Sequence, residues 1–367
     1  MDFDLEPRRR RLAASARELG RRVAERPARA RELLARGGLY GLRVPRRLGG
    51  PGAGVLDAAL TLEALADGGV ALGELFALGA HLFSGLETLL AAGRLDKRAA
   101  GEVLAGRRIV AHAVTEAQAG SDLSAITCAA RRAGAGWRVT GRKSFVTGAA
   151  DAAAFVVYAK TAPRDGLFGL SAFLVEAGEG VRVEPPMATL GLREARPAAV
   201  DFDARVPRAA LLGRPGGGRE LFRRVIAVER AALPAVFLGQ MERLLRRTAR
   251  HAAQRRQFSR PLLSNQAVSH RLAEHRLLLE RSRLMLYRAC WLLDQGRDAE
   301  QAAALAKWTV TESALRVALD CVQLHGAWGV VEDAGLAGEL RDAVSGPIFS
   351  GTNEIQKEIV AASLQAR

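Results

Sequence analysis

The stretch that decides the fold reads Val114-Thr115-Glu116-Ala117-Gln118-Ala119-Gly120-Ser121-Asp122, and Gly141-Arg142-Lys143-Ser144-Phe145-Val146-Thr147-Gly148 follows it one strand later. The first segment comes directly after a β-branched run and precedes another such run. Hydroxyl groups and glycine amides at the end of a strand can bind the polar edge of a ring or a phosphate. Taken alone, the segment is equally typical of an ordinary polar turn. The motifs elsewhere in the chain are needed to distinguish a binding loop from such a turn.

Three zones of different hydrophobic periodicity surround these segments. Residues 1–108 and 219–367 carry apolar side chains at the spacing of amphipathic helices. Residues 109–218 instead contain short β-branched or aromatic runs separated by Gly, Pro and Asp, which is typical of a small, mostly antiparallel sheet. Pro234 lies inside the first long helical pattern of the third zone, so we expect it to kink or interrupt that helix.

The composition is that of an ordinary globular protein, with 49% apolar and 25% charged residues in a chain of 367. No run of 18 apolar residues occurs, so the sequence predicts no membrane-spanning helix. Cys128, Cys290 and Cys321 lie far apart and follow no metal-ligand spacing. This pattern predicts buried thiols, a cytoplasmic location and no metal site.

The net charge is +15, and almost all of the positive side chains are arginines. Such a charge favours acidic partners, and three classes fit: coenzyme A, an acidic carrier protein and nucleic acid. The arginines are spread over all the helical zones, with Arg8 to Arg11 as the longest run, and aromatic residues are few. Nucleic acid is therefore the least expected of the three partners.

Further motifs follow the two opening segments in a fixed order. They are Leu190-Gly191-Leu192-Arg193, Arg255-Arg256-Gln257-Phe258 with Gln266, Gln323-Leu324-His325-Gly326, and Gly351-Thr352-Asn353-Glu354-Ile355. In this order and spacing they resemble the acyl-CoA dehydrogenase family over essentially the whole chain. The resemblance implies an α+β, mainly α fold, with an N-terminal helical domain (1–108), a middle β domain (109–218) and a C-terminal four-helix bundle (219–367).

The resemblance also implies the chemistry, which is FAD-dependent α,β-dehydrogenation of an acyl thioester. A base removes the α proton while the β hydride passes to flavin N5. Relatives bind FAD between the β domain and the bundle, and an adjacent subunit closes over it, so we expect a homodimer or homotetramer. An electron-transferring flavoprotein is the expected electron acceptor. The sequence leaves open whether the substrate is an acyl-CoA or an acyl-carrier protein, and it does not give the acyl chain length.

Carried over position by position, the resemblance assigns most of the motif residues to the cofactor. Thr115 and Ser121 match hydroxyls near the flavin ring and the thioester. Phe145 matches the aromatic residue beside the ring, and Thr147 matches the hydroxyl that bonds flavin N5. The full expected cofactor set is Val114, Thr115, Ser121, Phe145, Val146, Thr147, Arg255, Gln257, Phe258, Gln266, Gln323, Gly326, Ala327, Thr352 and Glu354.

The catalytic base needs a separate argument because its usual position is not acidic here. Proton abstraction requires a positioned carboxylate, and the thioester carbonyl requires hydrogen-bond donors. In many relatives a Glu precedes the Gly-Thr of the last motif, but this chain has Ser350, which cannot act as a base unaided. A minority of the family carries the base on the first bundle helix, and Glu229 stands there. We expect Glu229 to be the base, with Ser121, Arg230, Ser350 and Gly351 around the substrate.

Two other functions fit the same sequence. Flavin monooxygenases and nitroalkane oxidases share the architecture, some of them with an altered base position. A basic, nucleic-acid-binding member with vestigial activity would fit the charge. One further departure concerns the cofactor, because Ala327 stands where relatives carry Gly. If that position needs a positive φ, the side chain strains it and weakens FAD binding.

Overall fold

A computed structural model describes residues 5–162, 166 and 168–365. A helical unit comes first, a sheet follows, and a second helical unit ends the chain. The N-terminal helices are α1 (Pro7–Ala24), α2 (Ala30–Arg36), α3 (Val55–Gly68), α4 (Leu72–Ala80), a π-helical turn (His81–Gly85), α5 (Leu86–Ala91) and α6 (Lys97–Leu104). The C-terminal helices are α7 (Gly218–Ala232), α8 (Ala235–Gln254), α9 (Gln266–Asp294), α10 (Glu300–His325), α11 (Leu336–Val344) and α12 (Asn353–Gln365).

Helix α3 joins the two helical units, because it packs against α1 on one side and α8 on the other. It is rich in alanine and leucine and buried along almost its whole length. Two of its acidic side chains are paired with arginines from other elements: Nε of Arg9 lies 2.8 Å from Asp57, and Nε of Arg283 lies 2.8 Å from Glu63. Buried carboxylates need such partners, so part of the arginine excess stabilises the fold.

The expected interruption at Pro234 is present. Helix α7 ends at Ala232, and α8 begins at Ala235 with Pro234 as its N-terminal cap residue. Proline has no backbone N–H and cannot continue the hydrogen-bond ladder of α7. The break follows Glu229 by about one turn, so the expected base lies in the last turn of α7.

The middle of the chain forms one eight-stranded sheet. Its strands are β1 (Val110–Ala113), β2 (Ala129–Ala133), β3 (Gly136–Val146), β4 (Ala154–Lys160), β5 (Leu170–Glu176), β6 (Val181–Val183), β7 (Ala198–Pro207) and β8 (Leu211–Leu212). The order across the sheet is β6-β7-β3-β2-β4-β5-β8, and β1 pairs with β4. β1 and β2 run parallel to β4, and the other pairs are antiparallel. The predicted mostly antiparallel sheet is therefore confirmed.

A small hairpin of β9 (Arg256–Gln257) and β10 (Arg260–Pro261) lies between α8 and α9. Within the described residues, no helix combines the length and apolar character needed to cross a bilayer.

Candidate active site

The side chain of Glu229 is held by two hydroxyl groups from different parts of the chain. Ser84 donates a hydrogen bond to Oε2, and Ser350 donates one to Oε1. Ser84 is buried, whereas Glu229 is half-buried. The sequence places these three residues about 145 and 121 positions apart, and the fold brings them together at one carboxylate. The sequence did not predict this contact between Ser350 and Glu229.

Ser84 reaches the carboxylate because its helix changes pitch. Residues His81–Gly85 form a π-helical turn between α4 and α5, an irregularity common at functional sites. Gly85 packs against β1 so closely that a Cβ there would lie 2.0 Å from the carbonyl oxygen of Val110. The Nδ1 atom of His81 accepts a hydrogen bond from the Val110 amide at 3.0 Å, which leaves Nε2–H to donate to the Tyr40 carbonyl at 3.2 Å. Burial lowers the pKa of His81 to about 4, so this clamp is neutral.

The loop that follows Phe349 is held in an uncommon backbone conformation. Ser350 has a φ of 54° and Gly351 a φ of 82°, both in the left-handed region. Arg230, which is buried, donates from Nε to the Ser350 carbonyl at 2.9 Å, and Gln356 donates to the Gly351 carbonyl at 2.8 Å. The carbonyl groups of Ser350 and Gly351 therefore both accept hydrogen bonds. Among the described residues, the amides of Ser350 and Gly351 donate to no partner.

A buried lysine fixes the far end of the same turn. Nζ of Lys307 donates to Oδ1 of Asn353, the first residue of α12, at 2.9 Å. The ammonium group also lies 5.1 Å from the ring centroid of Phe349. Burial is the main cause that lowers the pKa of Lys307 to about 7, and the positive charge of Arg230 adds to it. We call Ser84, Glu229, Arg230, Ser350 and Gly351 the inner cluster.

A buried ion pair holds the two motif segments of the β domain together. Nζ of Lys143 lies 2.8 Å from Oε1 of Glu116 and also donates to the Val114 carbonyl at 2.8 Å. Glu116 accepts further hydrogen bonds from the amide and hydroxyl of Thr127. Burial alone would raise the pKa of Glu116, but the hydrogen bonds and the Lys143 charge lower it to about 2. Both charges are satisfied, which is the condition for keeping them inside a protein.

The strand that carries Lys143 then bulges and presents an aromatic ring to solvent. The register between β3 and β7 shifts between Lys143 and Val146. Phe145, inside the bulge, has a φ of 55° and a side chain that is 64% exposed, whereas Val146 is buried. Thr147 lines a cavity of about 120 Å³ together with His81 of the π-helical turn. An exposed ring beside a hydroxyl fits a flat aromatic cofactor.

Most of the remaining expected cofactor residues lie on the surface at one end of the bundle. The ends of α8 and α10 meet there, since the rings of His251 and His325 stack with centroids 4.3 Å apart. Phe258 is 94% exposed. We call this exposed set the outer cluster; it comprises Arg255, Gln257, Phe258, Gln266, Gln323, Gly326 and Ala327. Glu354 is exposed too, but it lies in the first turn of α12, directly after the Ser350 turn.

Ser121 is exposed in the loop after β1, and Val114, Thr115 and Thr352 are half-buried. The expected strain at Ala327 is absent: Gly326 has the positive φ, 61°, and Ala327 does not. The positive φ lies on Gly326, one residue before Ala327, and Ala327 is part of the short helical turn Gly326–Val330.

The three domain models of one family match the chain in order. They are "Acyl-CoA dehydrogenase, N-terminal domain" over residues 8–100, "middle domain" over 111–204, and "C-terminal domain" over 216–365. The chain belongs to the acyl-CoA dehydrogenase family. The predicted family and three-part fold are therefore confirmed.

Relatives within the family are more specific. The chain is 40% identical over 343 residues to an L-prolyl-[peptidyl-carrier protein] dehydrogenase of Pseudomonas fluorescens, which covers 92% of this chain and 90% of the relative. The structure of PigA with FAD and proline is 35% identical, with a TM-score of 0.94 over 100% of this chain and 99% of that one. The prolyl acyl carrier protein oxidase AnaB is 28% identical, with a TM-score of 0.94 over 98% and 100% of the two chains.

The predicted cofactor is the one bound in the PigA complex. The residues present here fit it, since an exposed aromatic ring, a hydroxyl and an exposed arginine can contact a flat ring and a pyrophosphate. Three contributors were missed by the sequence reasoning: Ser84, Lys307, and the ion pair of Glu116 with Lys143. The ion pair could have been predicted, because Glu116 and Lys143 both occur in the two motif segments quoted first. Charged residues next to a buried sheet are rarely unpaired.

Proposed function

We propose that the protein removes the α proton of an acyl thioester with Glu229 and thereby drives α,β-dehydrogenation. The observation that carries this proposal is the setting of that carboxylate. It accepts hydrogen bonds from Ser84 and Ser350, and it forms no ion pair with any described residue. Hydroxyl donors fix the orientation of a carboxylate without neutralising it, which is what proton abstraction requires. Bound FAD would supply the acceptor for the β hydride.

The turn at Ser350 supports the second half of the reaction. Negative charge develops on the thioester carbonyl oxygen as the proton leaves, and preorganised amide donors stabilise it. The free amides of Ser350 and Gly351 are the donors in this proposal, because Arg230 and Gln356 engage the carbonyls of the same turn. Each such donor typically contributes about 3 kcal/mol to transition-state stabilisation.

For the substrate we propose a prolyl group carried on a peptidyl-carrier protein, rather than an acyl-CoA. The support comes from the activity named for the Pseudomonas relative and from the proline in the PigA complex. A net charge of +15 also suits an acidic carrier protein.

Anaerobic mixing tests both parts of the proposal. The FAD-loaded enzyme is mixed with prolyl-carrier protein, prolyl-CoA or butyryl-CoA, and flavin absorbance is followed. Bleaching by the prolyl-carrier protein alone is the expected result. Faster bleaching by butyryl-CoA would reject the substrate class but keep the dehydrogenase. A requirement for a separate reductant and oxygen would replace the dehydrogenase by a monooxygenase.

We also propose that the protein acts as a homo-oligomer. Leu277, Leu284 and Trp291 occupy every seventh position of α9, and all three are exposed. Exposed apolar stripes of this kind typically mark protein–protein contacts. Together with the outer cluster they provide a surface for a second copy. Light scattering at micromolar concentration should give a dimer or tetramer mass, and a monomer mass would reject the proposal.

The electron acceptor and the compartment remain proposals as well. We favour an electron-transferring flavoprotein, with oxygen as the alternative because AnaB is named an oxidase. Oxygen consumption during turnover without an added acceptor would favour the alternative. A cytoplasmic location rests on three separate, buried, free thiols.

Nucleic acid remains the least favoured partner. The longest arginine run takes part in the fold, since Arg8 and Arg9 both bind Asp57 of α3. Arginines that hold buried carboxylates contribute little to a phosphate-binding surface. No retention on DNA near about 150 mM salt is the expected result of a binding assay.

A further inference from the structure

Two buried cations lie beside the turn that carries Ser350. Arg230 is 8% exposed and Lys307 is fully buried. Within the part of the chain that the structure describes, neither of them forms an ion pair. The buried lysine of the sheet differs, because Lys143 has Glu116 as its partner. Buried charges are costly unless they are paired, so the two cations at the turn require an explanation from the chemistry of the site.

Lys307 contacts the turn on both sides. Its Nζ atom donates to Oδ1 of Asn353 at 2.9 Å, and the ammonium group lies 5.1 Å from the ring centroid of Phe349. These two residues come directly after and directly before the segment 350–352. The ring of Phe349 is itself held in place, since it stacks on Phe237 with centroids 5.9 Å apart. Lys307 therefore fixes both ends of the segment whose amides are free.

The backbone of the turn needs such anchors. Ser350 has a φ of 54°, in the left-handed region that a residue with a Cβ atom rarely adopts. A conformation of this kind persists only where the surrounding contacts fix it. Arg230 supplies one contact through the Ser350 carbonyl, and Lys307 supplies the contacts at the two ends. Together the two cations maintain the conformation in which the amides of Ser350 and Gly351 stay unpaired.

The hydrogen bond to Asn353 does not by itself account for a lysine at this position. The hydroxyl of Thr311 also lies 3.2 Å from Oδ1 of Asn353, so this oxygen keeps a donor within reach without Lys307. A neutral donor would satisfy the oxygen at a lower desolvation cost. What the lysine adds is its positive charge.

The charged groups that face Lys307 come from three helices. Glu229 and Arg230 belong to α7, Glu312 to α10 itself, and Glu354 to α12. Burial, and next the charge of Arg230, lower the pKa of Lys307 to about 7, and the three carboxylates oppose this shift. The side chain is therefore charged below about pH 7 and neutral well above it.

We propose that Lys307 is a positioning residue for proton abstraction, which holds the Ser350 turn and gives it a positive charge. When the α C–H bond breaks, the proton passes to Glu229, and negative charge moves from that carboxylate to the thioester carbonyl oxygen. Because Lys307 contacts the turn and not the carboxylate, its charge favours the state in which the oxygen is negative. This inference rests on the function proposed above.

The test replaces the ammonium group by a neutral one of similar length in the full-length, FAD-loaded enzyme. The substrate is whichever of prolyl-carrier protein, prolyl-CoA and butyryl-CoA reduces the wild-type flavin fastest. At about pH 6, Lys307→Met should lower the rate constant of anaerobic flavin reduction about tenfold, which is less than the loss of a direct amide donor. KM should be unchanged. The wild-type rate should fall between about pH 7 and about pH 9, and the rate of the variant should not.

Urea unfolding separates this role from a merely structural one. Lys307→Met removes an unpaired buried charge, so the unfolding midpoint should equal or exceed that of the wild type, and the FAD content should be unchanged. Lys357→Met is the matched control, because Lys357 also lies 5.1 Å from a ring centroid, that of Trp308, but is exposed. The control should change neither the rate nor its pH dependence.

Two results for Lys307→Met would overturn the inference: a wild-type rate, or a rate and an unfolding midpoint that fall together. If the variant does not fold, the wild-type profile decides, and a rate that stays constant or rises between about pH 7 and about pH 9 would overturn the inference. A wild-type enzyme whose flavin none of the three thioesters reduces would overturn the proposed function as well.

Discussion

The inner cluster and the outer cluster differ in how many of their side chains form hydrogen bonds within the chain. In the inner cluster, Glu229 has two hydroxyl donors, and the turn that carries Ser350 is clamped by Arg230. In the outer cluster, Arg255 and Gln266 are exposed, and Phe258 is almost fully so. The side chains of the first region are paired within one chain, whereas the second region exposes donors and apolar surface to solvent.

This difference predicts that the inner cluster determines the rate of the reaction and that the outer cluster determines the affinity for FAD. A base is effective when it is held in place before the substrate arrives, and rigid elements from both helical units hold Glu229. A surface cluster contributes affinity only when its partner is present. Substitutions in the inner cluster should therefore change turnover with FAD still bound, and substitutions in the outer cluster should change FAD affinity with turnover preserved at saturation.

The largest effect is expected for Glu229→Gln. The amide keeps the shape of the side chain but cannot accept the α proton, so turnover should fall by at least about 100-fold. FAD content, measured by absorbance, should stay near that of the wild type. Glu220→Gln, an exposed change on the same helix, is the control. Near-wild-type turnover in Glu229→Gln would end the assignment of the base.

Lys143→Met should give the next largest effect, on stability. It leaves Glu116 buried without its cation, which typically costs about 3 to 5 kcal/mol. Urea unfolding monitored by circular dichroism measures the loss. Arg142→Met removes an exposed pair on the same strand and should cost under about 1 kcal/mol. Equal effects of the two changes would contradict the role given to the buried pair.

The same pair predicts a pH dependence. The pKa of Glu116 is about 2 in the folded protein and near 4.3 in an unfolded chain. Because the folded value is lower, the stabilisation is complete above the unfolded pKa and is lost as the pH falls toward 2. Glu116→Gln should flatten the unfolding free energy between about pH 4.3 and 2. An unchanged slope in that window would count against the pairing.

A smaller effect is expected from Arg255→Ala in the outer cluster. Loss of one charge-assisted hydrogen bond should weaken FAD binding by about 10- to 100-fold. Turnover at saturating FAD should stay within about twofold, because the inner cluster is untouched. Fluorescence titration of the apoprotein with FAD gives the Kd. Arg250→Ala, which removes an exposed charge earlier in α8, is the control. If both substitutions weaken FAD binding equally, the effect comes from net charge and not from a direct contact of Arg255.

The smallest effect is expected from Ser84→Ala. Ser350 still holds one carboxylate oxygen of Glu229, so only part of its positioning is lost. We expect kcat to fall about fivefold to tenfold, equivalent to about 1 kcal/mol, with KM and FAD affinity unchanged. Ser282→Ala, a buried helical serine that bonds its own helix, is the control. A change confined to KM would show that Ser84 contacts substrate instead of orienting the base.

The sequence predicted the parts of this molecule that depend on local pattern. The three zones of periodicity indicated the fold, and Pro234 indicated the break between α7 and α8. These inferences work because helix and strand spacing and proline chemistry act over a few residues. The hydrogen bond between Glu229 and Ser350 was not predicted, since 121 residues separate them.

Other parts could not be predicted for a physical reason. Ser84 reaches the base only because one helix changes pitch, and nothing in the composition of His81–Gly85 marks a π-helical turn. The condition under which Ala327 would be strained is not met, because the positive φ of that turn lies on Gly326.

The π-helical turn at His81–Gly85 also imposes a strict length on this part of the chain. Its start is tied to β1 through His81, and its end is tied to the same strand by the close approach of Gly85. Removing one residue between these anchors would rotate α5 by about 100° relative to α4. Ser84 would then turn away from Glu229. Insertions and deletions should therefore be excluded here, although loops elsewhere in the chain can vary in length.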